Sequence, residues 1–224
     1  MKTTKEPQYN GQLEHQNQFG PGLMGLTSSY LWLNDPKHIL FTLSRYKFVS
    51  KILNNKKSVA DIGCGDGFGS RLISTCVGNL DGYDFDPLFI ENAKKVNNNI
   101  SNAKFIIHDI LKNPLNKKYD GAYTLDVLEH IKPSKEKIFL TNICKSLTRH
   151  GILVLGTPSK ESQIYASKPS KEGHINCKRE VELKNLMQQF FNNVLTFSMN
   201  DEVVHTGFSG MAHYLFAIGI GPKH

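Results

Sequence analysis

The stretch VADIGCGDGFGS, residues 59–70, limits the folds open to this chain more than any other, because it places four glycines at alternate positions shortly after Asp61. A short apolar run precedes the glycines, and the mixed run GFGSRLISTCV follows them. Glycine lets a backbone turn tightly and lets a ligand approach without interference from a Cβ atom. The stretch therefore predicts the strand–turn–helix corner at which open α/β sheets bind nucleotide-like ligands.

The size and composition of the chain are those of one globular domain. It has 224 residues, of which 39% are hydrophobic and 21% are charged, and a domain of this length buries a sizeable core. The net charge of +7 comes from lysines scattered singly or in pairs. That distribution favours a basic surface, or a preference for anionic substrates, over a nucleic-acid interface.

The polar amino terminus and the cysteine pattern predict a cytoplasmic protein. No run approaches the roughly 18 apolar residues that a membrane-spanning helix needs, so we expect no membrane insertion. The four cysteines are far apart, and no pair has the C-x-x-C spacing of a metal or redox site. These are Cys64, Cys76, Cys144 and Cys177.

The order of apolar runs after residue 55 predicts a doubly wound α/β fold. Short apolar runs alternate with longer amphipathic ones, which is typical of βαβ units and of a mostly parallel sheet covered on both faces. The last two runs, NNVLTFSMN and MAHYLFAIGI, are joined by a connection too short for a helical crossover, so we expect them to be antiparallel. We assign this fold to residues 35–224, whose first helix begins at Asp35-Pro36.

Residues 1–34 lack a clean periodicity, and we expect them to form an N-terminal extension, a helical cap or lid across the domain. A simply packed extension is the alternative. Within this part, residues 19–33 mix glycine and proline with large apolar side chains. That segment is too apolar for a solvated tail and too rich in glycine for a stable helix.

Acidic residues around the glycines favour a cationic ligand over a pyrophosphate. The dinucleotide fingerprint G-x-G-x-x-G would need a glycine at Phe68 or Ser70. Asp61 precedes the turn and Asp66 lies inside it, and carboxylates repel a pyrophosphate but attract a positive charge. The sequence therefore predicts a ligand that is positively charged near this turn.

Further carboxylates recur where predicted strands end. Asp84 stands 21 residues after the first glycine (84 − 63), which suits a carboxylate that accepts hydrogen bonds from ribose hydroxyls. Asp109 ends the third strand, where it can accept from an adenine amino group, and Asp126 ends the fourth. The carboxyl ends of parallel strands share one edge, so we expect these acids to line one cleft. Asp86 is predicted to cap the helix starting at Pro87 instead.

Together these motifs resemble those of the class I S-adenosylmethionine-dependent methyltransferases. The family's acid followed by G-x-G-x-G is matched by Asp61, Gly63, Gly65 and Gly67, and GYDFD, HD and YDGAYTLDVLEHI resemble its later motifs. The resemblance extends over residues 38–224. It implies a seven-stranded, mostly parallel sheet with an antiparallel last strand, and S-adenosyl-L-methionine as the cofactor.

The resemblance also implies roles for individual residues. It places the methionine moiety near Asp61, Gly63 and Gly65, the ribose hydroxyls at Asp84 and the adenine amino group at Asp109. The cofactor-binding residues that we predict are Asp61, Gly63, Cys64, Gly65, Gly67, Asp84, Phe85, Asp109, Ile110 and Asp126.

The acceptor is expected to be a small molecule whose hydroxyl or amine takes the methyl group, such as a saccharide or a precursor metabolite. The stretch LDVLEHI resembles the matching part of quinone-biosynthesis O-methyltransferases. Such acceptors need a base for their proton, and the predicted bases are His130, His174 and His205. A protein or nucleic-acid methyltransferase and a cofactor-binding protein without turnover are the alternatives, and the oligomeric state stays open.

In some of those relatives, acids and a histidine in this stretch bind a divalent ion. The resemblance would place such an ion on Asp126, Glu129 and His130. Aspartate stands at position 126 where glutamate is usual, so a divalent metal is the less favoured alternative here. Glu129 and His130 are predicted to cap and pack the turn after the fourth strand.

Overall fold

A computed structural model describes residues 4–223. Eight strands in this part of the chain form one sheet. They are β1 (Ser58–Ile62), β2 (Asn79–Asp84), β3 (Ala103–Ile107), β4 (Tyr119–Leu125), β5 (Leu147–Pro158), β6 (Phe191–Asn200), β7 (Val203–His205) and β8 (Tyr214–Pro222). Their order across the sheet is β3-β2-β1-β4-β5-β8-β6-β7.

Strands β1–β6 run in one direction, and β7 and β8 run in the opposite direction. β1 pairs in parallel with β2 and β4, so that Ala60 lies between Asp81 and Ala122. β8 is antiparallel to both β5 and β6. This arrangement confirms the predicted doubly wound α/β fold with a mostly parallel sheet and an antiparallel last strand.

The short strand β7 departs from the predicted count of seven strands. It pairs antiparallel with the end of β6, with Val203 opposite Asn200 and His205 opposite Ser198. Asp201, in the two-residue turn between them, has φ = +50°, a left-handed conformation that aspartate tolerates better than most residues. The sequence predicts a loop at residues 201–210, because a three-residue strand has no alternating pattern to reveal it.

Eight α-helices are seen among the described residues. They are α1 (Asn10–Phe19), α2 (Leu26–Asn34), α3 (Pro36–Ile52), α4 (Ser70–Ser74), α5 (Pro87–Val96), α6 (Glu136–Lys145), α7 (Lys168–Gly173) and α8 (Glu180–Gln188). Asp86 accepts a hydrogen bond from the Leu88 amide at 2.9 Å, which confirms it as the cap of α5. Asp35 stands at the predicted N-cap position of α3, directly before Pro36, but its carboxylate makes no capping bond and lies 3.8 Å from the His38 ring.

Apolar side chains cover both faces of the sheet. Leu153 of β5 belongs to a cluster with Phe139 of α6 and residues of α8, whereas its neighbour Val154 belongs to a cluster with Val49 of α3 and residues of α4. This alternation is the two-residue period of a strand buried on both sides. The packed sheet is thus a fixed base from which the strand ends carry their side chains.

The N-terminal residues form the helices α1 and α2, and α2 packs against α3. The expectation that residues 19–33 are too rich in glycine for a helix is wrong in its second half. The glycines at 20, 22 and 25 precede α2, and the nine residues of α2 contain none. A boundary at residue 34 between cap and domain stays a prediction.

The direction of β6 determines where the loops lie. Because β8 is antiparallel to β5 and to β6, β6 ends at the same edge of the sheet as the parallel strands β1–β5. Residues 201–213, which connect β6 to β8, therefore belong to the edge that carries the glycine turn. Within residues 4–223, no helix is long and apolar enough to cross a bilayer.

Candidate cofactor and acceptor site

The glycine turn joins β1 to α4 and needs its glycines for two different reasons. Gly63, Gly65 and Gly67 have φ values of +80°, +53° and +70°, which side chains rarely tolerate. A Cβ on Gly63 would overlap Val127, and one on Gly67 would meet Asn97 at 2.7 Å. Around Gly65, by contrast, no described atom lies within 4 Å of that position. Gly65 therefore opens onto free space, as a ligand cradle requires.

Asp61 anchors the turn from below. It is buried, and its Oδ2 accepts hydrogen bonds from the hydroxyls of Ser70 at 2.6 Å and Tyr123 at 2.7 Å. Burial raises the pKa of Asp61 to about 7, although the two hydroxyl donors oppose that rise. Cys64 is also buried, and burial raises the pKa of its thiol far above the usual range. The side chains of Asp61 and Cys64 are therefore buried beneath the glycine turn and stabilise its backbone.

Asp84 and Phe85 stand at the end of β2, beside the turn. Asp84 Oδ2 accepts from the Gly65 amide at 3.0 Å, and its Oδ1 accepts from the Asp86 amide at 3.0 Å. The Phe85 ring is 72% exposed. The structure thus brings a half-buried carboxylate and an uncovered aromatic face to the rim of the glycine turn.

Asp109 and Ile110 follow β3. Asp109 accepts a hydrogen bond from the Leu111 amide at 3.0 Å, and Lys112 approaches its other oxygen at 3.6 Å. Ile110 is buried, and its carbonyl accepts from the side chain of Asn142 at 2.7 Å. These contacts fix the backbone at the predicted adenine end of the cleft.

Asp126 ends β4 with φ = +56° and is held by Arg45 of α3. Arg45 Nη1 donates to both carboxylate oxygens, at 3.0 and 2.8 Å. The guanidinium also lies over the ring of Tyr214, 4.0 Å from its centroid. The pKa of Arg45 is raised; burial acts to lower it, and the carboxylate of Asp126 acts the other way.

Glu129, His130 and His174 converge beside Asp126. One ligand atom from each lies within 4.8 Å of the others, and the two imidazole rings are 5.2 Å apart at 67°. Residue 174 reaches residue 130 because the amides of Ile175 and Asn176 both donate to the Glu129 carbonyl, at 2.8 and 3.0 Å. The connection after β5 is thereby tied to the end of β4.

Hydrogen bonds fix which nitrogen of each ring is free. His130 Nδ1 lies 3.0 Å from the Gly173 carbonyl, and His174 Nδ1 lies 2.9 Å from Gln163 Oε1. Carbonyl oxygens only accept, so Nδ1 of each ring carries a hydrogen, and Nε2 keeps the lone pair in the neutral form of either ring. Burial, and then the neighbouring His130, lower the pKa of His174. The ring of His174 is therefore neutral at pH 7.

Glu129 is fully buried, unlike the exposed His130 beside it. Its Oε2 accepts from the Thr157 hydroxyl at 3.0 Å, and its Oε1 has no hydrogen-bond partner among residues 4–223. Burial, assisted by the nearby charge of Asp126, raises the pKa of Glu129 to about 8. This carboxyl is thus protonated at neutral pH unless a positive charge joins the cluster.

The structure does not bring His205 to this group. It lies in the edge strand β7, where its Nε2 contacts Asn200 Oδ1 at 2.8 Å and its Nδ1 accepts from the Gly207 amide at 2.9 Å. With both nitrogens engaged, His205 stabilises its own hairpin. Two further residues of the site, Gln163 and Thr157, orient His174 and Glu129 and are not predicted from the sequence. Neither has a spacing signal, because both contacts are formed between distant segments.

The chain is similar in sequence to known methyltransferases. A family model described as a methyltransferase domain matches residues 37–195, well over half of the chain. The chain is 26% identical over 130 residues to the mitochondrial ubiquinone biosynthesis O-methyltransferase of Schizosaccharomyces pombe. That match covers 54% of this chain and 47% of the relative, so the chain spans about half the length of this curated relative.

Solved structures share the fold at low sequence identity. The N-methyltransferase NodS of Bradyrhizobium japonicum WM9 has a TM-score of 0.63 and 18% identity, over 85% of this chain and 99% of that chain, and it is also known with S-adenosyl-L-homocysteine. The plantazolicin methyltransferase BpumL, bound to a desmethyl plantazolicin analogue and S-adenosyl-L-homocysteine, has a TM-score of 0.65 and 18% identity, over 88% and 89% of the two chains.

Proposed function

The chain belongs to the methyltransferase domain family, as a class I member with S-adenosyl-L-methionine as its cofactor, and from that premise we propose that it methylates a hydroxyl or amine of a small-molecule acceptor. A saccharide or a precursor metabolite is the acceptor class that we favour. The observation that carries the proposal is the convergence of Glu129, His130 and His174 at the edge of the sheet that bears the glycine turn.

The residues of the cofactor half suit S-adenosyl-L-methionine. The open side of Gly65 leaves room for the ligand, and the lone pairs of Asp84 can accept from two ribose hydroxyls. We assign the adenine to the exposed ring of Phe85 and to Ile110, with Asp109 accepting from its amino group. When bound, the cofactor supplies a methyl carbon activated by the adjacent sulfonium.

The acceptor half provides for the proton that an acceptor loses. Methyl transfer is an in-line displacement, so the protein mainly holds the acceptor atom behind the methyl carbon. Methylation of a hydroxyl releases a proton, and a neutral imidazole with a free Nε2 can take it. His174 meets this requirement, because its lowered pKa keeps the ring neutral at pH 7. His130, with the same free nitrogen, is the second candidate base.

The names of the relatives support methyl transfer to oxygen and to nitrogen on this fold. One is an O-methyltransferase of ubiquinone biosynthesis and another is the N-methyltransferase NodS. We therefore choose hydroxylated small molecules and small amines as the first acceptors to test. Four free cysteines support a reducing compartment, and we propose a cytoplasmic site of action.

A divalent cation is the second interpretation of the same cluster. Glu129 offers an oxygen, and His130 and His174 each offer a free Nε2. Each ring donates its other nitrogen to an oxygen, as metal-binding histidines do. Asp126, which the resemblance would add as a ligand, is held by Arg45 instead. A cation bound to these three residues would lower the pKa of an acceptor hydroxyl.

The first experiment measures binding and turnover separately. Calorimetric titration should show binding of S-adenosyl-L-methionine and S-adenosyl-L-homocysteine, and none of NAD. Transfer from methyl-labelled cofactor to a panel of hydroxylated small molecules and amines should then identify an acceptor. Protein dialysed against EDTA and assayed with and without Mg²⁺, Mn²⁺ or Zn²⁺ separates a base from a metal site.

Three variants assign the roles. His174→Ala and His130→Ala should keep cofactor affinity and lose turnover by about 10²–10⁴-fold, the usual contribution of a general base. His205→Ala is the matched control and should keep turnover. Label that enters only protein or nucleic acid would overturn the small-molecule proposal. Cofactor binding without transfer to any class of acceptor would favour a binding protein.

A further inference from the structure

Asp66, the acid inside the glycine turn, faces the N-terminal helices and not the cofactor cleft. It is buried, and its Oδ2 accepts a hydrogen bond from the Ser28 amide of α2 at 2.9 Å. Its Oδ1 accepts from the Phe68 amide of the turn itself at 3.1 Å, with the Ser28 hydroxyl 3.4 Å away. One carboxylate thus joins α2 to the backbone that forms the cofactor cradle.

Gly25 makes this contact sterically feasible. Its φ is +99°, and a Cβ on it would lie 2.7 Å from Cγ of Asp66, closer than carbon atoms approach. The next residue, Leu26, donates its amide to Asn92 Oδ1 of α5 at 2.8 Å. The first amides of a helix have no partner within it, and here Asp66 and Asn92 supply two of the missing acceptors.

Beyond its packing against α3, α2 is attached to the sheet domain by polar contacts. Within α2, the buried residue is Ser28, whereas Leu26, Tyr30 and Leu33 are 52%, 66% and 79% exposed. A hydrogen bond that replaces a bond to water stabilises an attachment less than the burial of a large apolar side chain does. The part of the α2 attachment that Asp66 and Asn92 supply therefore depends on hydrogen bonds and not on apolar burial.

We propose that Asp66 is a positioning residue that couples docking of α2 to cofactor binding. S-adenosyl-L-methionine in the turn and α2 on Asp66 both require the same left-handed conformation of Gly63, Gly65 and Gly67. Each therefore stabilises the state that the other binds, and the coupling acts equally in both directions. The inference rests on the turn being the cofactor site.

The test compares two glycine variants of the cap in the full-length chain. Gly25→Ala places a methyl group against Asp66 and displaces α2, while Asp66 and the turn keep their own residues. Gly22→Ala is the matched control, since no described atom lies within 4 Å of its added Cβ. For each variant we would measure the affinity for S-adenosyl-L-homocysteine, and hydrogen exchange of residues 26–34 with and without it.

In the wild type and in Gly22→Ala, S-adenosyl-L-homocysteine should slow hydrogen exchange in residues 26–34. Gly25→Ala should lose this protection and bind the ligand about 10-fold more weakly, within the roughly 5- to 150-fold range of coupled sites. Equal affinity in both variants, or exchange in residues 26–34 that is independent of the ligand, would overturn the coupling. Absence of binding in the wild type would instead overturn the cofactor role of the turn.

A second pair of variants approaches the contact from the turn. Asp66→Asn keeps an oxygen that can accept from the Ser28 amide, whereas Asp66→Ala keeps none. We expect the alanine variant to reproduce both effects of Gly25→Ala, and the asparagine variant to recover most of the protection. In the double variant Gly25→Ala/Asp66→Ala the losses should not add beyond those of Asp66→Ala, because both changes remove the contact with α2, and Asp66→Ala alone also removes the bond to the Phe68 amide. Additive losses would contradict the proposal.

Discussion

A single guanidinium nitrogen of Arg45 donates to both carboxylate oxygens of Asp126, with Nη1 at 3.0 Å from Oδ1 and 2.8 Å from Oδ2. Arg45 is buried on α3, while the side chain of Asp126 is 38% exposed at the end of β4. The pair joins the helix that precedes the sheet to the strand end between the cofactor cradle and the histidine cluster. Loss of this ion pair should lower the free energy of unfolding and displace the side chains at the end of β4.

We expect Asp126→Asn to lower the free energy of unfolding by about 3 kcal/mol, because it leaves the buried Arg45 charge without its partner. Asparagine tolerates the left-handed backbone at this position, so the loss reports the charge and not backbone strain. Urea unfolding would measure it. Arg179→Ala, which breaks a more exposed pair with Glu161, should cost under about 1 kcal/mol. Equal losses in the two variants would contradict the special role of the Arg45 pair.

Gly65→Ala tests directly whether the glycine turn binds the cofactor. The added methyl group enters the open space beside the turn, so the protein should fold with a loss of about 1–2 kcal/mol from the left-handed backbone. Binding of S-adenosyl-L-methionine should fall below detection in calorimetry. Gly20→Ala also has positive φ and open space at its Cβ, but it lies in the cap. If both variants bound the cofactor equally well, the assignment of the glycine turn as the cofactor site would be wrong.

Asp84→Ala should weaken S-adenosyl-L-methionine binding by about 1.5–3 kcal/mol for each lost charge-assisted hydrogen bond. Isothermal calorimetry measures the change. Asp86→Ala is the neighbouring control: it removes the cap of α5 and should cost about 1 kcal/mol of stability without changing cofactor affinity. Unchanged affinity in Asp84→Ala would exclude Asp84 as the ribose ligand.

The raised pKa values of two buried carboxyls predict a fall in stability with pH. Burial raises the pKa of Glu129 from 4.5 to about 8 and that of Asp61 from 3.8 to about 7. Between about pH 4 and pH 8 these two carboxyls therefore hold more protons in the folded protein than in the unfolded chain. Their contribution to the free energy of unfolding should decrease as pH rises through this window.

Glu129→Gln isolates one of these contributions. Glutamine keeps an oxygen for the Thr157 hydroxyl but carries no titrating proton, so the decrease in unfolding free energy should shrink by on the order of a few kcal/mol. Urea unfolding at pH 5, 7 and 8.5 measures it. Glu180→Gln is the control, since Glu180 also accepts from a threonine, Thr196, but is partly exposed. A pH dependence as steep in Glu129→Gln as in the wild type would refute the assignment.

Patterns within a few residues predicted the sheet and the cofactor edge. The spacing of glycines after Asp61 and the acids at the ends of predicted strands are local signals, and the structure places them on one edge. The direction of β6 was not predictable, because it depends on pairing with β8. The hairpin of β7 was missed for a similar reason, since its three residues gain their strand character from β6.

Side-chain orientation was the part that sequence could not give. Its position inside the glycine turn predicts Asp66 as a partner for a cationic ligand, whereas the structure turns it toward Ser28 of α2. His174 lies 44 positions after His130 (174 − 130), and the two rings meet only because main-chain hydrogen bonds tie the connection after β5 to Glu129. Such contacts depend on tertiary folding, which leaves no periodic trace in the chain.

The attachment of His174 has a consequence for how such an enzyme changes over evolutionary time. Main-chain amides at 175 and 176 fix its connection to the Glu129 carbonyl, and an amide is present whatever side chain follows, proline excepted. Residues 164–172 can therefore drift in sequence while the imidazole stays in place. Selection for a new acceptor can act on that segment without disturbing the glycine turn, so the two halves of the site are separable units of adaptation.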